Sequence, residues 1–193
     1  MFLINKPTDG SIRQFLESQK QASFSYSEVG FSRNAKAPLD YNVDHNRAQL
    51  GRGRETFERA VRAVQNWKMF DFAWLKLCWD AAPIAVGSTV AILVNHFGFW
   101  SLNAARIVYV LEETDDEVEK YGFAYGTLSE HAERGEERFS VEYHKHDESV
   151  WYDLYAFSQP RNIFARLGYP ASRMLQRRFA TESKAAMQRA VGK

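Results

Sequence analysis

The stretch that most constrains the fold is residues 119–160, EKYGFAYGTLSEHAERGEERFSVEYHKHDESVWYDLYAFSQP. Apolar, small and polar residues alternate there at the two-residue period of a strand, and the polar breaks SEHAERG and HKHDES fall where the chain must turn. This predicts three successive antiparallel strands. Pro160 ends the last of them, since proline has no N–H for a ladder. Such a sheet becomes stable only with more strands and a helix packed on its apolar face.

The rest of the chain can supply both. Residues 9–20 read as a short helix capped by Asp9 or Ser11, with Ile12, Phe15 and Leu16 on one side. Phe24 and Tyr26 alternate with serines as a first strand, broken at Gly30. Residues 34–46, with Pro38, three Asn and two Asp, read as a long connection across an end of the sheet. Phe57, Ala60, Val61, Val64 and Trp67 then follow the helical period. The run FDFAWLKLCW is apolar on both parities, so periodicity alone fits a buried strand or a helical continuation. The expectation is a short helix, then a strand ending near Asp80. Gly87–Phe97 and Asn103–Glu112 are two further strands, Asn162–Leu167 a single helical turn, and Pro170 to about Val191 a long final helix.

This order predicts an α+β fold: a curved antiparallel β-sheet wrapped around a long C-terminal helix, with residues 1–193 as one domain. One helix cannot fill the concave face of such a sheet, so a cavity is expected between them. The topology resembles the helix-grip fold of the START and polyketide-cyclase-like superfamily. At the residue level, YGFAYGTL, GEERF and AFSQP, with YNVDHNRAQLGRG, WKMFDFAW, LNAARIVYV and GYPASRMLQRRF, resemble a bacterial and plant domain-of-unknown-function family across nearly the whole chain. That resemblance implies one complete domain and brings no catalytic residue with it.

Charge and composition exclude several classes. A formal net charge of +1 leaves no basic excess for a nucleic-acid surface. Charge is unevenly placed: residues 111–160 carry 14 acidic against 4 basic side chains, whereas residues 161–193 carry eight basic residues against Glu182 alone. An acidic sheet facing a basic helix accounts for this; a helix reserved for a membrane or an acidic partner is the alternative. The polar break at Asn5–Pro7 is too early for a signal peptide, and no apolar run spans a bilayer, so the cytoplasm is the expected compartment. Cys78, the one cysteine, reads as core packing.

Aromatic residues make up 15% of the chain and can line a cavity or fill a core. By parity Tyr121, Phe123 and Tyr125 share one face of their strand, while Gly122, Ala124 and Gly126 form a row of small residues on the other. That row accommodates either a packed element or a ligand lying on bare backbone. Phe139, Val141 and Tyr143 form the inward set of the next strand, with Glu137 in phase as a cavity acid or, with Glu136, Arg134 and Arg138, part of a solvated turn. The expected lining is Arg106, Tyr121, Tyr125, Phe139, Tyr143, Trp151 and Tyr155. Arg106 is its polar anchor, because it shares a parity with Val108 and Val110 and a buried guanidinium must be paired; an edge position near the start of its strand is the alternative.

No motif dictates a reaction. Gly51 and Gly53 precede a helix without a third glycine, a Lys-Ser/Thr pair or a βαβ unit, so nucleotide binding is not expected. His144 and His146 sit two apart as metal ligands often do, yet they fall at a hairpin tip; no metal and no cofactor are expected. The leading expectation is binding of a small hydrophobic or amphipathic molecule in the cavity. The alternative is a metal-independent cyclase, isomerase or lyase using Tyr121 or Tyr125 as acid and His45, His131 or Glu137 as base. Oligomeric state is beyond the sequence.

Overall fold

The computed structural model describes residues 1–78, 83–96, 98–131, 133–160 and 169–192. Its strands are β1 (Phe2–Leu3), β2 (Asn42–Arg52), β3 (Leu75–Cys78), β4 (Thr89–His96), β5 (Phe99–Thr114), β6 (Val118–Thr127), β7 (Glu133–His144) and β8 (Ser149–Pro160). Its α-helices are α1 (Asp9–Gln19), α2 (Arg54–Gln65) and α3 (Tyr169–Val191). One curled antiparallel sheet runs in the order β2-β8-β7-β6-β5-β4-β3, with β1 beside β5. The three strands expected over residues 119–160 are β6, β7 and β8. The helical turn expected over Asn162–Leu167 lies outside the described residues. No helix among the described residues is long and apolar enough to cross a membrane.

The inner face of the sheet carries the main core. Tyr121, Phe123 and Tyr125 of β6, Phe139, Val141 and Tyr143 of β7, and Val150, Tyr152 and Leu154 of β8 all point into it. They meet Phe57, Ala60 and Val64 of α2, and Ala180, Met187 and Val191 of α3. Full burial of each large side chain there stabilises the fold by roughly 1.5–3 kcal/mol before entropy is counted. The fully buried Tyr152 hydroxyl bonds the Ser183 hydroxyl at 2.8 Å, which fixes α3 in register along the sheet.

On the outer face α1 packs Ile12, Phe15 and Leu16 against Ala91, Leu93, Leu102 and Ala104. Its cap is Thr8, whose hydroxyl accepts from the Ser11 amide at 3.2 Å, so neither Asp9 nor Ser11 takes that role. Phe24–Glu28 makes one isolated bridge, Phe24 with Leu128, and no strand. It lies across the outer face, where Tyr26 packs with Phe157. The connection expected over residues 34–46 ends early, because β2 begins at Asn42 and pairs with β8 from Asn42↔Ser158 to Arg52↔Ser149. Asn and Asp are poor strand formers, yet pairing with a long neighbour overrides that preference at an edge.

The row of small residues faces outward and is covered by the chain itself. A Cβ at Gly126 would stand 2.1 Å from the Tyr26 hydroxyl, and one at Gly122 would stand 2.3 Å from the Phe139 carbonyl oxygen. Ala124 packs with Tyr109 and Leu111. Close packing of protein on protein therefore accounts for this row.

A bulge between Ile107 and Tyr109 reverses which residues of β5 face inward. Before it Ala105 and Ile107 point into the core, and after it Val110 does. Arg106 consequently does not share a face with Val110. It stands on the outer side, donating to the carbonyls of Gln19, Lys20 and Ala22 at 2.8, 2.9 and 2.9 Å, where it closes the C-terminal end of α1.

Candidate functional site

Between the inner face and α3 lies a cavity of about 720 Å³. Its apolar wall comes from Phe70, Trp74, Ile92, Val94, Leu154 and Phe179. Each has a local reason to be there. Trp67 takes a left-handed conformation (φ 55°) that ends α2 and starts the short 3-10 turn Lys68–Phe70, which carries Phe70 against Phe139 and Phe179. The Trp74 indole donates to Glu182 of α3 at 3.0 Å, and Arg178 lies 4.9 Å above its ring. Ile92 and Val94 follow from strand parity on β4.

The polar wall gathers at the β2, β7 and β8 side. Asp44 and Asn46 of β2, Glu133 and Glu137 of β7, Ser158 of β8 and Gln176 of α3 all border the cavity. Arg173 donates to both carboxylate oxygens of Asp44 at 2.5 and 2.8 Å and to Gln176 Oε1 at 2.6 Å. Gln176 Nε2 in turn donates to Glu133 at 2.5 Å and to the Ser158 hydroxyl at 3.1 Å. These contacts latch the start of α3 to the sheet edge. The Tyr125 hydroxyl donates to Glu137 Oε2 at 2.6 Å.

Glu137 borders the hollow and is half-buried. Burial pushes its carboxyl up to about 7, with the negative charges of Glu133 and Asp44 adding and the Tyr125 hydrogen bond opposing. Burial also raises Glu133, against the hydrogen bonds from Ser158, Gln176 and Ser172 and the charge of Arg173. The Tyr125 hydroxyl is raised well above its ordinary value by burial and by the carboxylate it faces. A carboxyl that titrates near neutrality beside a largely apolar pocket can bind as an acceptor or exchange a proton.

The structure brings some of the expected site residues together and separates others. Tyr125, Glu137 and His131 border the same cavity, with His131 Nδ1 lying 3.0 and 3.1 Å from the carbonyl and amide of Glu133. Glu137 is therefore no part of a solvated turn. Tyr121 and Tyr143 point inward but sit in the packed core, where Tyr143 meets Phe57 at 5.8 Å. Phe139 is fully buried behind the rings of Phe70, Tyr125 and Phe179. Trp151 and Tyr155 stand on the outer face, because on β8 Val150, Tyr152 and Leu154 take the inward parity. His45 is also outside: it sits in β2, not in a connection, and its Nε2 lies 2.7 Å from Asp153 in a network with Arg47 and Arg138. Arg106 caps α1, as described above.

Several bordering residues were not singled out from the sequence, notably Glu133, Trp74, His96, Gln176 and Phe179. Glu133 was within reach, since it keeps the parity of Glu137 and Phe139 along β7. Asp44, paired by sequence with His45 in a connection, lies instead on β2, where it borders the cavity and His45 does not. No group of three or more His, Cys, Asp or Glu side chains placed to hold a metal ion occurs among the described residues. In the basic helix, Arg173 pairs with Asp44 of the sheet and Arg178 pairs with Glu182 of its own helix at 2.6 Å. These pairings account for part of the charge asymmetry within the chain.

The sequence profile of a family described as a domain of unknown function (DUF1990) matches residues 25–186. The chain is similar to a UPF0548 protein of Dictyostelium discoideum, 36% identical over 208 residues that cover 100% of this chain and 96% of that protein. A UPF0548 protein of Deinococcus radiodurans is 35% identical over 202 residues, covering 100% of both chains. Among solved structures, a point mutant of norcoclaurine synthase from Thalictrum flavum gives a TM-score of 0.44 at 11% identity, covering 81% of this chain and 97% of that one. Human STARD10 gives 0.45 at 10% identity, covering 96% of this chain and 81% of that one.

Proposed function

The chain belongs to the DUF1990 family, described as a domain of unknown function, and from its cavity we propose that it binds a small, largely apolar molecule between the curved sheet and α3. The observation that supports this reading is the cavity itself: about 720 Å³, walled by aromatic and branched aliphatic side chains, with polar groups confined to one side. That is the size and make-up of a small-molecule site. The ligand lies along Phe70, Trp74 and Phe179 and turns its polar end to Glu137 and Tyr125.

Native mass spectrometry of protein purified without denaturation tests this, together with titration of a neutral environment-sensitive dye. A retained mass, or dye binding that the cavity-filling variant Ala156→Trp removes, is the expected result. Protein that is empty and also leaves the dye in water overturns the reading.

A second reading is favoured by the 2.6 Å bond between Tyr125 and Glu137. In it the pair exchanges protons with an acidic C–H or O–H of the bound molecule, as an isomerase or cyclase requires. Incubating a retained molecule with the protein in D₂O distinguishes the two: carbon-bound deuterium that Glu137→Gln prevents supports catalysis. Absence of exchange leaves simple binding.

A further inference from the structure

The balance of charge on the polar wall says which chemical class of ligand it receives. Four acidic residues, Asp44, Glu133, Glu136 and Glu137, border the cavity, Glu136 with its carboxylate already held by Tyr26, Gly30 and Ser32, and among the described lining residues there is neither lysine nor arginine. Arg173 is not in the lining and spends both terminal nitrogens on Asp44. Of the two bordering histidines, His96 is driven toward its neutral form by burial and bonds the Ser101 hydroxyl at 2.7 Å. His131 has its Nδ1 against the Glu133 backbone.

Glu133 is also well supplied, with Gln176, Ser158 and Ser172 donating to it. Glu137 is not. Its Oε2 takes the Tyr125 hydroxyl, while Oε1 has no hydrogen-bond partner among the described residues and the half-buried side chain borders the cavity. A carboxyl oxygen that borders a cavity without a donor is one the bound molecule can satisfy.

Resting on the binding reading above, we propose that the ligand carries a basic nitrogen, a protonated amine on an apolar skeleton, which donates to Glu137 Oε1 in the acidic end of the cavity. An anionic group placed there meets up to three carboxylates and no uncommitted cation, so acids and phosphates are disfavoured. A neutral alcohol satisfies the oxygen without the gain from opposite charge. The ammonium does both, and a charge-assisted bond is about twice as strong as a neutral one.

The proton is conserved in either route of entry. A neutral amine takes the proton from the Glu137 carboxyl, giving ammonium and carboxylate. An ammonium ion entering a cavity with Glu137 protonated releases that proton to water. The groups facing Glu137 are Tyr125 from β6, Asp44 from β2, Tyr152 from β8 and Glu133 on its own strand, while from α3 Gln176 borders the same cavity and Arg173 pairs with Asp44. None of them besides Glu137 gains a donor from the amine in this arrangement.

The test uses three matched probes with one skeleton, 4-phenylbutylamine, 4-phenylbutanol and 4-phenylbutanoate, titrated calorimetrically into the full chain. At about pH 8 the amine is expected to bind about tenfold more tightly than the alcohol, and the carboxylate more weakly than either. Glu137→Gln removes the amine's advantage over the alcohol. On the unmodified protein, amine affinity rises about tenfold from about pH 5.5 to 8 as Glu137 loses its proton, while alcohol affinity stays flat. Equal binding of amine and alcohol, or tightest binding of the carboxylate, overturns the amine and leaves the cavity reading standing. Failure of all three probes, with the dye also unbound, overturns both.

Discussion

Two adjacent glutamates, Glu136 and Glu137, have opposite roles because a strand turns successive side chains to opposite faces. Glu136 points outward and is 2% exposed. It accepts from the Tyr26 hydroxyl at 2.7 Å, the Gly30 amide at 2.7 Å, the Ser32 amide at 3.0 Å and the Ser32 hydroxyl. Four donors from residues 26–32 thus hold one carboxylate, and through it the outer segment stays on the sheet. Glu136→Gln places an amide among those donors, and urea unfolding is expected to show a loss of about 2–4 kcal/mol. Glu137→Gln, with one donor to lose, is expected to be neutral or stabilising at about pH 8. Equal losses for the two variants would show that the faces are not distinguished as described. The sequence shows that the two glutamates face opposite ways; which one is satisfied depends on residues a hundred positions away.

At the scale of elements, the site depends on how α3 is fastened. Deep along the helix, Tyr152–Ser183 and the buried Met187 fix it. At its beginning the fastening is polar, through Arg173–Asp44 and Gln176–Glu133. Arg173→Ala should therefore loosen the first turns of α3 over the cavity and leave its second half in place. Hydrogen exchange is expected to speed up over residues 172–180 and remain unchanged over residues 183–191, with a global loss of about 1 kcal/mol or less. Uniform change along the helix would contradict this division. Periodicity located α3 and the last three strands closely, since their apolar faces repeat over many residues. It misplaced β2 and Arg106 for physical reasons: β2 is polar on both sides of a sheet edge, and the β5 bulge flips the parity on which the placement of Arg106 was based.

At the scale of the molecule, burying carboxyl groups in the cavity links stability to pH. Glu137 has a folded value of about 7 against an ordinary 4.5. A raised carboxyl binds its proton more tightly in the folded state, so its contribution is fully present below the ordinary value and is lost as pH rises through about 7. Glu133 acts in the same sense. His96, lowered by burial, acts in the opposite sense, since its contribution is lost as pH falls. Thermal unfolding of the wild type is expected to lose stability relative to Glu137→Gln from about pH 5 to 8, a difference that cancels the other groups. Parallel pH profiles for the two proteins would remove Glu137 as the source.

The sequence by itself determined the fold class, the last three strands, the long final helix and the inward aromatic residues of β6 and β7. All of these rest on local periodicity, which the backbone geometry of strands and helices enforces residue by residue. Only the tertiary structure decided which of those aromatics fill a core and which border a space, and which glutamate of β7 is held by four donors and which by one. Tyr121, Tyr125 and Tyr143 are equivalent by parity, yet only Tyr125 reaches the cavity. The difference arises from where α2 and α3 press on the sheet and where they part. Helix placement depends on contacts between residues far apart in the chain, which no local pattern encodes.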